Sequence, residues 1–139
     1  MSSAVALQAP SDYEPFPDVD PGAEPLGSRV LVMCRVPPRR IGSIELPESA
    51  RDTKRDVTQV AKIVALGPLA FRNRDTGEMW TEGAWCEPGD FVRVPRYQGD
   101  RFKVKVPGRQ ETAEFVIFDD HNIVARLTCD PSAVADADF

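Results

Sequence analysis

At 139 residues, 42% of them hydrophobic, the chain has the length and composition of one core-burying domain rather than of a disordered polymer. Its net charge of −5 is uneven: residues 1 to 28 hold five acids and no base, whereas all 17 bases lie between Arg29 and Leu127 beside 14 acids, so a polyanionic partner is not excluded for the body. Three well-separated cysteines, Cys34, Cys86 and Cys129, without a C-x-x-C pair argue against a disulfide framework and a zinc site. The absence of a basic leader or an 18-residue apolar run argues against secretion and a membrane helix, and predicts a soluble cytoplasmic protein.

Taken in chain order, residues 1 to 24 set Pro10, Pro15, Pro17 and Pro21 among acids and small side chains, which predicts a flexible acidic extension. From Arg29 onward, short runs rich in β-branched and aromatic residues recur between turn signals: RVLVMCRV (29 to 36), VTQVAKIVAL (57 to 66), DFVRV (90 to 94), RFKVKV (101 to 106), EFVIF (114 to 118) and NIVARL (122 to 127). Pro37-Pro38, Gly67-Pro68, Pro88-Gly89, Gly99-Asp100 and Pro107-Gly108 stand where these strands must stop. VTQVAKIVAL has the length of a short helix, but its β-branched content and the following Gly-Pro favour a strand. The fold class is therefore all-β, and so many short strands in so little chain predict a small barrel, because closure removes exposed edges.

Two strands carry further information. RFKVKV alternates, with Phe102, Val104 and Val106 on one face and Lys103 and Lys105 on the other, and so predicts a half-exposed strand. RVLVMCRV puts Val30, Val32 and Cys34 on one face and Leu31 and Met33 on the other, so both faces need cover. One is expected to fill the barrel and the other to meet a neighbouring subunit.

Two connections, residues 37 to 56 and 69 to 87, exceed the usual length in a compact domain, which points to function or disorder. The first places Ile44 and Leu46 among charges, Gly, Ser and Pro, where nothing nearby in sequence offers them a core. In the second, Asp75-Thr76-Gly77 between Phe71 and Trp80 predicts a hairpin excursion, with Trp80 and Trp85 either packing it, contacting another subunit or forming a recognition patch. Asp119-Asp120-His121 predicts a turn between strands rather than an acid-base site, since adjacent residues do not converge on one atom. Cys86, beside a turn, has no neighbour that would lower its pKa. Nothing resembles G-x-x-x-x-G-K-[ST], so no ATP site is expected, and without paired carboxylates at useful spacing, a metal cluster or a cofactor loop neither a cofactor nor enzymatic activity is expected.

The order PLGSRVLVMCR, GSIELPES, VAKIVALG, EPGDFVRVPRY and AEFVIFDDHNIVARL, over residues 25 to 127, resembles the chaperonin-10 family, the co-chaperonins of the large chaperonin rings. The resemblance implies a partly open β-barrel (25–127) with a mobile loop at 37–56 and a roof hairpin at 69–87; residues 128–139 are expected to be a flexible tail beyond it. It implies a homo-oligomeric ring, a heptamer, whose first and last strands pair between subunits: Val30, Leu31, Val32 and Met33 against Ile123, Val124, Ala125 and Leu127. It also implies docking on a large chaperonin ring through Gly42, Ser43, Ile44, Glu45, Leu46 and Pro47, with Ile44 and Leu46 entering an apolar groove. ATP is bound by that partner, and an unfolded client protein is enclosed. Ser28 stands where the family usually has an acid or Asn, Glu45 replaces an apolar residue, and both ends are extended, which suits a divergent, viral member acting in the host cytoplasm.

A rival reading uses residues 91 to 110. Arg93, Arg96, Arg101, Lys103, Lys105 and Arg109, interleaved with Phe91, Tyr97 and Phe102, have the composition of a hairpin that stacks single-stranded nucleic acid in a basic groove.

Overall fold

A computed structural model describes residues 15–37, 40–41, 44–45, 47, 49–50, 58–96, 98–108 and 112–134; for 40, 41 and 44 it describes the backbone alone. The main sheet is built on β1 (Arg29–Cys34), β4 (Val60–Leu66), β5 (Phe91–Arg93), β6 (Asp100–Lys105), β7 (Thr112–Asp119) and β8 (Ala125–Arg126). A separate pair, β2 (Arg40–Ile41) and β3 (Ile44–Glu45), lies between β1 and β4 in the chain. The six strands form one antiparallel sheet in the order β6-β7-β1-β4-β5-β8, all-β and unclosed, consistent with a small, partly open barrel.

All six predicted strands are present, with shifted ends. NIVARL shortens to Ala125–Arg126, because Asp120–Asn122 form a 3-10 turn, and EFVIF lengthens to Thr112–Asp119. The alternation of β6 is as expected: Lys103 and Lys105 are exposed, Phe102 and Val104 half-buried, and Val106 just beyond the strand is buried.

The two apolar faces of β1 enter two different cores. Val30, Val32 and Cys34 join Ala61, Ile63, Phe71, Val92, Val116 and Phe118 in the larger cluster; Leu31 and Met33 join Val106, Ala113 and Phe115 in the smaller one. A bulge in the β1–β4 register sustains this division. Leu31 pairs with Ala65 but Val32 with Ile63, so Val64 is the extra residue of β4. Ile63 and Leu66 therefore reach the larger core, while Val64 and Ala65 pack on the smaller.

The second face of β1 is packed on by residues of the same chain. Phe16 and Val19 pack on the smaller cluster, Phe16 lies 5.0 Å from the Phe91 ring between centroids, and the Val36 N–H donates to the Pro15 carbonyl at 2.8 Å. Residues 15 to 19 thus form an arm that packs on the sheet, within the stretch whose composition predicts a flexible extension. Two well-placed apolar side chains and a buried Pro17 anchor it despite the low average hydrophobicity. Residues 1 to 14 lie outside the described set.

In the tail, Pro131 and Val134 also contact the body of the chain. Arg35, only 8% exposed, donates from one guanidinium nitrogen to the carbonyls of Pro131 at 3.0 Å and Val134 at 2.6 Å. A 3-10 turn over Pro131–Ala133, N-capped by Asp130, presents them; the cap's hydrogen bonds from Ser132 hold the Asp130 carboxyl below its ordinary pKa.

Candidate functional site

The connection between β1 and β4 leaves the main sheet, and β2–β3 forms a two-stranded sheet of its own there, pairing Arg40 with Glu45 and Ile41 with Ile44. A strand was not expected at this place. Glu45, Pro47 and Ser49 are exposed. Ile44 thus has a described backbone position, whereas Gly42, Ser43 and Leu46 lie outside the described residues.

The residues expected between subunits divide sharply. β1 is hydrogen-bonded to β4 on one edge and β7 on the other, so it has no edge to offer a second chain. Val30, Leu31 and Val32 are fully buried, Met33 is 4% exposed and Ile123 is 7% exposed. Their side chains are packed within the subunit. Val124, 68% exposed, and Ala125 face outward, and Leu127 is half-buried. β8 occupies one edge of the sheet, with Val124 and Leu127 donating N–H groups to Arg93 and Phe91 of β5.

The basic stretch from 91 to 110 is not one hairpin. β5 and β6 are separated in the sheet by β4, β1 and β7, since each continues the sheet on a different side. Its aromatic rings pack within the chain, Phe91 tilted against Phe16 and Phe102 stacked on Phe115 at 5.5 Å, and Arg101 reaches Glu114 at 3.3 Å. Arg96 donates to Gln59. Tyr97 and Arg109 lie outside the described residues.

The long β4–β5 connection does contain the expected hairpin excursion. Arg72 and Met79 form an antiparallel bridge, with Asn73 donating to the Glu78 carbonyl at 2.7 Å and its side chain accepting from Asp75 and Thr76. Trp80 and Trp85 both pack on the larger core and flank His121, each at 5.6 Å between ring centroids; Trp85 is also fixed by its indole N–H to Glu82 at 2.9 Å. Asp119-Asp120-His121 is a turn, as read, but Asp120 is fully buried and its carboxylate accepts the Phe71 N–H. The turn therefore fastens the excursion to the sheet. That role was not visible in the sequence, because 49 residues separate the partners.

Cys34 is core, as its alternation with valines predicts. Cys86 is buried, and that burial, aided by nearby Asp90, pushes its thiol up to about 11. Among the described residues no cluster of His, Cys, Asp and Glu could hold a metal ion, and no helix is long and apolar enough to cross a membrane. No protein-family model matches the chain, and no curated protein is detectably similar to it.

Proposed function

We propose that the chain is a co-chaperonin: a subunit of a homo-oligomeric ring, seven-membered by the resemblance, that caps a large ATP-driven chaperonin in the cytoplasm and closes its chamber over an unfolded client. The observation that supports this reading is the placement of Ile44–Glu45, the described part of the motif from Gly42 to Leu46. It interrupts a sheet whose other motifs fall on β1, β4, β5, β7 and β8 in the family's order, and β2–β3 stands apart from that sheet with Glu45, Pro47 and Ser49 exposed. In the proposed complex Ile44 and Leu46 fill the partner's apolar groove, and Gly42, Ser43, Glu45 and Pro47 flank them.

Burying Ile44 and Leu46 contributes about 1.5–3 kcal/mol each, against about 1–2 kcal/mol for each residue ordered, so one loop binds weakly. Several loops on one ring make later docking steps intramolecular and raise avidity by roughly 10² to 10⁴. Weak single contacts also permit release when the partner's nucleotide changes. Within the ring, the β8 edge with Val124, Ala125 and Leu127 is the subunit contact that this reading retains.

The test is to mix the full chain with a large chaperonin ring and ATP and to size the products. Co-migration that Ile44→Ser with Leu46→Ser abolishes, while the ring itself persists, is the expected result. Co-migration indifferent to that double change rejects the docking contact.

A further inference from the structure

A groove of about 320 Å³ opens where the β4–β5 excursion meets the start of β1, and three guanidinium groups, those of Arg29, Arg72 and Arg74, line it with Ser28, Leu69 and Asp119. Two of the three are held in place. Arg72 donates to the Gly77 carbonyl at 3.1 Å, and Arg74 lies 3.6 Å from carboxylate oxygens of both Asp119 and Asp120. Arg29 forms no ion pair among the described residues. Gly27 and Gly77 border the same groove, both with left-handed φ, and a Cβ added to either meets nothing within 4 Å, so bare backbone faces open space.

We infer that this groove binds a small phosphate ester. Arg74 is balanced by Asp119 and Asp120, whereas Arg29 and Arg72 hold no carboxylate among the described residues, so two guanidinium groups remain for an anion. A phosphate monoester carries about −1.5 to −2 at neutral pH and three acceptor oxygens, enough for both guanidinium groups, whereas a single carboxylate offers two. Planar guanidinium forks suit phosphate oxygens in paired hydrogen bonds, and prior fixation of Arg72 and Arg74 reduces the entropy lost on binding. The volume lies at the small end of ligand sites, room for a phosphate and a compact organic body. Leu69, 54% exposed, offers an apolar wall for that body. The site belongs to one subunit and does not depend on ring assembly.

The experiment titrates the full chain with phenyl phosphate at fixed ionic strength, following amide chemical shifts and heat, with phenol and sodium chloride as controls. Phenyl phosphate is expected to bind and to shift groove amides, with neither control doing so. Arg29→Gln and Arg72→Gln should each weaken binding by about tenfold to a hundredfold, while Arg93→Gln on β5 leaves it unchanged. Circular dichroism establishes that each variant folds. No binding at about 1 mM phenyl phosphate, equal shifts from chloride or phenol, or unchanged affinity in both groove variants overturns the inference.

Discussion

The carboxylate of Asp120 accepts the backbone N–H of Phe71 at 2.7 Å, joining the turn after β7 to the excursion after β4. Both residues are fully buried, and Phe71 has φ 61°, a conformation that side-chain-bearing residues rarely adopt. A strained, buried N–H with one acceptor makes that acceptor structurally important. Asp120→Ala should cost about 1–3 kcal/mol, as expected for stranding a buried donor, and Asp120→Asn less, because an acceptor oxygen remains. Urea midpoints for both variants, with exposed Asp119→Ala as reference, check the order; equal midpoints for all three would dismiss the clasp.

Phe16 provides a measure of whether the arm is part of the fold. Losing its contact with Phe91 and the smaller core should destabilise the chain by about 1–3 kcal/mol in Phe16→Ala. Substitution of exposed Asp18 in the same arm should leave the urea midpoint nearly unchanged. A null effect from Phe16→Ala would return residues 15 to 19 to the status of a loose extension.

The cysteines should react unequally. Cys129 is exposed and Cys34 and Cys86 are buried, so iodoacetamide at pH 8 should label Cys129 in the native protein and all three after denaturation. Cys86 also predicts a pH effect. Its folded pKa, about 11 against 9.0, is raised, so its contribution is fully present below pH 9 and is lost as pH rises from 9 towards 11. The loss is at most about 2–3 kcal/mol and should be smaller in Cys86→Ala. Native labelling of Cys86 at the rate of Cys129 would contradict this environment.

Gly67 marks a close approach. Its N–H donates to the Arg29 carbonyl at 2.8 Å, and a Cβ there would collide with the backbone oxygen of Gly27 and sit 2.8 Å from that of Arg29. Backbone cannot swing aside as a side chain can. Gly67→Ala should therefore cost about 1–3 kcal/mol, with a lower Tm on thermal unfolding. An unchanged Tm would mean that the junction relaxes without loss.

The amino-acid pattern by itself determined the all-β class, the six main strands and the face assignment within β1 and β6, because strand periodicity and Gly/Pro breakers are local properties. It also located the excursion between Phe71 and Trp80 and the turn at Asp119. Only the tertiary structure decided which face met which cover. The sheet order places β1 between β4 and β7, and Phe16 and Val19 pack on the cluster that holds Leu31 and Met33. The Phe71–Asp120 clasp, the hold of Arg35 on the tail and the groove of Arg29, Arg72 and Arg74 likewise unite residues far apart in the chain. Such pairings arise from strand order and register, which no short window of sequence encodes.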